Sequence, residues 1–350
     1  MSQTVKSLPR PSFASPWLVT LIRYVLVILL ALFLFGIILL ITGKDPIHSY
    51  QDIFTATFGS TYGFSEVLVA MIPMLLTAMA VALPSRVGLI NVGGEGQLYI
   101  GAAFAAWGAL TFKSQPAWIL LPLMVLLGML GGALYAFLPG YLKAIGLVNE
   151  TITTLLFNSI APKIIGFLVF GFWHSPMDTV KTANFVQAAR LPAFFGTRVH
   201  LGLIFGFALL FIFWYVMKYT RWGLEMRAIG GNAQAARRNG IPHKKYLITV
   251  MCIGGAIAGL AGMAQISGFY GVLLINFSMG LGFMGFLICW LAGGEPLGIL
   301  LMSFVVAVIT TGGNMLQLTR DLPYAAINIL LALTLFAVLA RPNFFGGKKA

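Results

Sequence analysis

The chain has 350 residues, of which 59% are hydrophobic and only 9% are charged, and its mean hydropathy is +0.93. Because a soluble domain carries about 25% charged residues, this composition excludes a soluble globular protein and indicates an integral membrane protein. The apolar runs are continuous and do not alternate with a period of two, which excludes a membrane β-barrel and predicts an all-α protein. The net charge of +13 lies between these runs, where it is typical of membrane topology and does not predict nucleic-acid binding.

Apolar runs of about 20 residues, the length that crosses a bilayer as a helix, predict about ten spans. The first run, from Trp17 to Thr42, is too long for a cleaved signal peptide and is expected to be a retained anchor. The predicted spans cover residues 17–42, 64–84, 89–112, 117–139, 149–172, 199–219, 246–268, 275–293, 296–317 and 323–341.

The basic residues predict the orientation of these spans. Ten spans place both termini on one side, and the loops on that side carry 15 of the 22 lysines and arginines, against 6 on the other side, with Lys163 inside a span. Cytoplasmic loops are enriched in Lys and Arg. Both termini are therefore predicted to be cytoplasmic.

Two predicted outer connections are long. Residues 43–63 are expected to contain a short interfacial helix. Residues 173–198, which include Pro176 and Pro192, are expected to form an irregular lid, a docking surface or a plain connector.

The two halves of the single membrane domain resemble each other weakly. Gly/Ala-rich stretches at 64–110 and 246–298 begin on opposite sides of the membrane. This arrangement predicts an inverted repeat, as in many transporters, with one copy at about 64–172 and the other at about 246–341.

The stretch NVGGEGQ at residues 91–97 brings polar side chains into the third span. If the stretch is helical, Asn91 and Glu95 share one face. A carboxylate inside a membrane is costly and is a candidate for function, so Asn91, Glu95 and Gln97 are predicted to line a substrate pathway. The alternative is that Glu95 is hydrated or paired with Arg86.

The fifth and ninth spans add further pathway candidates. Glu150, Thr154 and Asn158 recur every four residues and predict one polar stripe that faces protein or water. Glu150 also has a plain role as an acid at a helix N-terminus. Lys163 is expected either to line a cavity or to extend to the membrane surface. Asn314 lies in a polar part of the ninth span.

Residues 221–245 form the longest charged interruption of the hydrophobic sequence. Asn232 is a good N-cap, Ala233 to Arg238 are helix formers, and Gly240 suits the left-handed position after a helix end. The pattern predicts a short capped helix that docks on a partner. The alternative is a solvated loop whose charge only sets topology.

No residue pattern predicts catalysis or a cofactor in this chain. The four histidines are scattered without metal spacing, both cysteines fall in apolar runs, and no G-x-x-x-x-G-K-[ST] motif for ATP phosphates occurs. The chain is therefore predicted not to be an enzyme and to have no metal site.

Five segments together resemble the permease subunits of ATP-binding-cassette importers, in the branch with sugar, branched-chain amino acid and nucleoside members. The resemblance covers roughly residues 64–341 and is nearest to nucleoside and simple-sugar permeases. The segments are GLINVGGEGQLYIGA at 88–102, VNETITTLLFNSIA at 148–161, TRVHLGL at 197–203, EMRAIGGNAQAARRNGI at 225–241 and GGAIAGLAGMAQISG at 254–268.

This resemblance implies a half-permease of about ten helices in a bacterial inner membrane. Its implied partners are a second permease subunit, identical or related, cytoplasmic ATPases that bind ATP and Mg²⁺, and an extracytoplasmic solute-binding protein. The solute would be a nucleoside or a simple sugar. The family's coupling helix falls in the cytoplasmic loop 220–245, on Arg227, Gly230, Asn232, Ala235, Ala236, Arg237, Arg238 and Gly240, with Ala235 and Ala236 packed into the ATPase.

The sequence departs from the family at Ala233, where family members often have proline after the N-cap asparagine. That change leaves the helix plausible but less rigidly started. A stand-alone carrier or channel that uses Glu95 and Lys163 as ion-coupling groups is the alternative function.

Overall fold

A computed structural model describes residues 29, 32–41, 43–175, 178–194, 196–320, 329, 332 and 333. The described part is helical apart from one antiparallel hairpin. Its helices are α1 (Leu32–Ile41), α2 (Pro46–Phe58), α3 (Thr61–Ser85), α4 (Gly94–Thr111), α5 (Ala117–Ala144), α6 (Glu150–Phe170), α7 (Gly202–Tyr219), α8 (Arg221–Gly231), α9 (Ala233–Arg238), α10 (His243–Ala264), α11 (Leu281–Leu291) and α12 (Pro296–Arg320), and its strands are β1 (His174–Ser175) and β2 (Asp178–Thr182).

Six described helices are long and apolar enough to cross a membrane, namely α3, α5, α6, α7, α12 and α10 with its π-helical extension to Tyr270. The bent pair α1 and α2 would be a seventh if it counted as one span. The predicted total of about ten is not confirmed, and the first and last predicted runs lie largely outside the described residues.

Two predicted spans are shorter helices than expected. The run 89–112 becomes helical only at Gly94, and the run 275–293 yields the 11-residue α11. Eleven residues span about 16 Å, roughly half the apolar thickness of a bilayer. Met279 and Gly280 have φ angles of 48° and 91°, a left-handed conformation that cannot continue an α-helix.

The chain divides into two compact units, and the larger one, residues 52–315, contains the candidate sites. In the described part of the smaller unit, the Tyr50 hydroxyl donates a hydrogen bond of 2.5 Å to the Leu32 carbonyl. Residues 46–58 form the short helix predicted for the first outer connection.

Helices α3 and α10 form the centre of the larger unit. In the most apolar stretch of each helix, 89% of the residues of α3 and 78% of those of α10 are buried, whereas only 28% are buried in α5, α6 and α7. Glycines let α10 approach α5 at backbone distance. A Cβ placed on Gly259 would lie 2.1 Å from the Gly128 carbonyl oxygen. Because lipid is as apolar as the helix surfaces, the hydrophobic effect does not bring membrane helices together, and close packing of small residues does so instead.

The second outer connection is more ordered than the irregular segment predicted from its prolines. It contains the hairpin β1–β2, and its backbone is tied to the stretch after α10: Thr182 donates to Leu273, and Phe185 donates to Gly271. The Ser267 hydroxyl also donates to the Ala189 carbonyl at 2.6 Å.

Candidate functional site

The N-termini of α4 and α11 meet inside the larger unit, and we call this contact the helix junction, defined by Gly94, Glu95, Gly280 and Gly282. A Cβ on Gly282 would lie 2.1 Å from the Glu95 backbone nitrogen. Only glycine allows this approach, so the two short helices touch through their backbones.

The Glu95 carboxylate holds the helix junction together. Its Oε1 accepts the Gly280 N–H at 3.1 Å and its Oε2 accepts the Gly282 N–H at 2.7 Å, and the residue is only 5% exposed. Glu95 also lies in the first turn of α4. The carboxyl group therefore lies at the N-terminal ends of two helices, where the helix dipoles favour negative charge. Arg86, the alternative partner, instead pairs with Glu295 at 3.1 Å.

The expectation that Asn91 and Glu95 share a helix face is wrong. Asn91 lies in the loop before α4, because Gly88 has a φ of 81° and helix begins only at Gly94. Asn91 and Gln97 are both buried and exchange two amide hydrogen bonds of 3.1 and 3.0 Å. Their pairing fixes the loop to the first turn of α4.

The predicted stripe on α6 is present and buried. The Glu150 carboxylate accepts the Ile90 N–H at 3.3 Å and the Thr154 hydroxyl accepts the Val92 N–H at 3.3 Å. Asn158 accepts the Gly96 N–H at 2.8 Å and donates to the Val92 carbonyl at 2.8 Å. The α6 side chains thus bind backbone groups of the non-helical loop and of the first turn of α4 that have no partner in a helix.

The remaining candidates in the spans lie outside this network. Asn314 is exposed on α12, and Lys163 is exposed on α6 directly after Pro162. Glu150 has a second contact, since its Oε2 lies 2.6 Å from the Lys143 ammonium group.

The second candidate site is the basic segment α8–α9, which we call the docking element, residues 220–245. The predicted helix is present as α9. The Asn232 side chain accepts the Ala235 N–H at 3.0 Å, and Gly240 has a φ of 78° after the helix end. The local sequence therefore encodes both ends of α9.

Helix α8 was not predicted from the sequence. The Thr220 hydroxyl caps it by accepting the Gly223 N–H at 3.2 Å, and Arg221 pairs with Glu225 at 2.7 Å one turn later. A threonine cap followed by an i,i+4 ion pair was the signal that could have found it. The Tyr246 hydroxyl donates to Glu225 at 2.5 Å, and this hydrogen bond, with Arg221, lowers the pKa of the Glu225 carboxyl.

The two alanines of α9 differ in exposure. Ala236 is buried against its own chain at 4% exposure, whereas Ala235 is exposed, as are Arg237 and Arg238. Ala236 therefore supports the helix, and Ala235 is the alanine that a partner can reach. Arg227 is also exposed, and its guanidinium donates to the Met217 carbonyl at the end of α7.

The described residues contain no group of three or more His, Cys, Asp or Glu side chains that could hold a metal ion. The helix junction joins α4 to α11 through Glu95, and the docking element offers a basic, structured surface.

Comparison with known proteins identifies relatives along most of the chain. A family model described as "Branched-chain amino acid transport system / permease component" matches residues 63–339. A glucose ABC transporter permease of Haloferax volcanii is 34% identical, over 91% of this chain and 87% of that protein. A nucleoside ABC transporter permease of Lactococcus lactis is 32% identical, over 91% and 92%. A guanosine ABC transporter permease of Bacillus subtilis is 30% identical, over 89% and 90%.

Among solved structures, PsaBC from Streptococcus pneumoniae in complex with Fab is similar in fold. The TM-score is 0.50 at 12% identity, over 83% of this chain and 94% of that chain. At this identity the likeness concerns the fold alone.

Proposed function

Since this chain belongs to the family described as "Branched-chain amino acid transport system / permease component", we propose that it is the membrane permease subunit of an ATP-binding-cassette importer that moves a small polar solute. The observation that carries the proposal is the docking element, where a capped helix with exposed Ala235, Arg237 and Arg238 lies between apolar spans. The chain has no phosphate-binding motif, so ATP and Mg²⁺ belong to a partner ATPase.

A nucleoside is the proposed solute, with a simple sugar as the second choice. The support comes from the three relatives, whose names state a nucleoside, guanosine or glucose. A solute-binding protein on the outer side would select the solute, and a second permease subunit would complete the pathway.

We place the pathway along the helix junction. Asn91, Glu95, Gln97, Glu150, Thr154 and Asn158 would shape its wall, since each is buried and hydrogen-bonded to protein. The exposed Asn314 side chain is the member of the predicted set that is free to face a solute. The ATPase pair would move the docking elements and expose the pathway alternately to each side.

The stand-alone carrier has less support. An ion-coupling carboxylate must exchange protons or ions, whereas both oxygens of Glu95 accept backbone N–H groups. Lys163 is exposed on α6 and does not contact this carboxylate network.

The test is co-purification with the cognate ATPase after Ala235→Asp, which places a carboxylate on the exposed face of α9. We expect the recovered ATPase to fall at least tenfold, which corresponds to about 1.4 kcal/mol of lost affinity, with an unchanged melting temperature.

The matched control is Ala183→Asp, the same change at an exposed alanine in the outer connection, which is expected to retain the ATPase. Undiminished recovery with Ala235→Asp, or uptake in vesicles without any ATPase, would contradict the proposed function.

A further inference from the structure

Arg86, the residue after α3, holds the turn between α11 and α12. One of its guanidinium nitrogens lies 2.5 Å from the Gly294 carbonyl oxygen, and another lies 3.1 Å from Glu295 Oε1. The same guanidinium lies 5.7 Å from the centre of the Phe213 ring on α7. The planar guanidinium group therefore donates hydrogen bonds to Gly294 and Glu295 while it also contacts an aromatic ring. The single ammonium group of a lysine cannot reproduce this geometry.

The backbone of Arg86 contacts the docking element. A Cβ placed on Gly230 of α8 would lie 2.4 Å from the Arg86 carbonyl oxygen and 3.7 Å from the Val87 Cα. The end of α8 therefore rests directly on the turn that follows α3. No side chain separates the two backbones, so a displacement of α8 reaches Arg86 without a flexible intermediate.

Helix α11 is held at both ends by residues of the first predicted repeat. Its N-terminus is bound by Glu95, and the turn after its C-terminus is bound by Arg86. Gly293 and Gly294 in that turn have φ angles of 62° and 71°, a left-handed conformation that favours glycine at both positions.

We infer that Arg86 is a positioning residue that transmits movement of the docking element to α11. The inference rests on the proposed function, in which α8–α9 receives the ATPase. The contacts from α8 to α11 are continuous. Gly230 of α8 packs against the Arg86 backbone, and the Arg86 side chain donates a hydrogen bond to the Gly294 carbonyl in the turn after α11. On this route Arg86 acts through the turn after α11.

The test measures solute transported per ATP hydrolysed by the complete importer in proteoliposomes. We expect Arg86→Ala and Gly230→Ala to lower this ratio at least tenfold while the ATPase still co-purifies. Arg86→Lys should give an intermediate ratio, because the single ammonium group keeps the positive charge but cannot make all the contacts of the guanidinium group. Gly166→Ala on α6 is the matched control, since it lies outside the docking element and its Cβ would meet nothing within 4 Å, and its ratio should equal that of the wild type.

Several results would overturn the inference. If hydrolysis and transport fall together with the melting temperature and the ratio stays constant, Arg86 only stabilises the fold. If Arg86→Ala does not fold, the comparison of Gly230→Ala with Gly166→Ala decides, and equal ratios for these two variants overturn the route. Failure of the wild-type chain to retain an ATPase would instead contradict the proposed function, so the two failures are distinguishable.

Discussion

Glu95 shows how a carboxyl group can be buried in this protein by hydrogen bonds to backbone N–H groups. A carboxylate in a membrane interior is costly unless it is hydrogen-bonded. Here two backbone N–H groups of α11 and the N-terminal turn of α4 stabilise it. The charge is therefore part of the support of the helix junction.

We predict that Glu95→Gln loosens the helix junction. The amide oxygen can accept one of the two N–H groups, but its NH₂ group then faces the other donor. Loss of a hydrogen bond to a charged group costs about 1.5–3 kcal/mol, so the melting temperature of the purified complex should fall by a few degrees.

Glu66→Gln is the control for Glu95→Gln. Glu66 pairs with Arg198 at 3.2 Å, where the arginine side chain is 45% exposed, and such a pair contributes about 0–1 kcal/mol. Equal melting temperatures for the two variants, with uptake lost only in Glu95→Gln, would mean that Glu95 acts on the solute and does not support the junction.

Sequence reasoning identified the polar residues of the junction but not their partners. Asn91, Glu95 and Gln97 stand out because polar groups are rare in apolar runs. The Gly280 and Gly282 N–H groups that bind Glu95 lie 185 and 187 residues further along the chain. No local pattern specifies such a contact, so Arg86, the nearest basic residue in sequence, was considered as the partner.

At the scale of elements, local chemistry predicted α9 well and α11 poorly. Asn232 and Gly240 fix the ends of α9 through caps that lie within one turn. The run 275–293 is apolar throughout, and hydropathy alone does not reveal that Met279 and Gly280 adopt positive φ angles. The count of about ten spans is therefore not confirmed, although α3, α5, α6, α7, α10 and α12 follow the predicted runs.

We predict that Gly259→Ala separates α10 from α5. The added methyl group would meet the Gly128 carbonyl oxygen at 2.1 Å, and because that atom belongs to a helix backbone, a whole helix must shift. A core overpacking change typically costs about 1–3 kcal/mol. We therefore expect lower yield and a lower melting temperature in detergent.

Gly166→Ala on α6 is the matched control for this helix contact. Its Cβ would meet nothing within 4 Å, and alanine is the better helix former, so stability should be equal or higher. A melting temperature for Gly259→Ala at the level of Gly166→Ala would contradict the close packing of α5 and α10.

At the scale of the whole molecule, one apolar helix, α7, lies between residues 173–198 and the docking element. Helix α7 has 18 residues, about 27 Å, and lies in sequence between residues 173–198 and the docking element. The docking element carries one acid, Glu225, and six basic residues, Arg221, Arg227, Arg237, Arg238, Lys244 and Lys245. This excess of positive charge favours the cytoplasm.

We therefore predict opposite accessibility for two engineered thiols, Ala183→Cys and Ala235→Cys, each at an exposed alanine. Both are placed in a Cys252→Ser, Cys289→Ala background, which removes the two native cysteines of the chain. A membrane-impermeant maleimide should label Ala183→Cys in intact spheroplasts and Ala235→Cys only after permeabilisation. Labelling of both thiols from the same side would show that α7 does not cross the membrane, and a reversed pattern would place the docking element outside, where no ATPase can reach it.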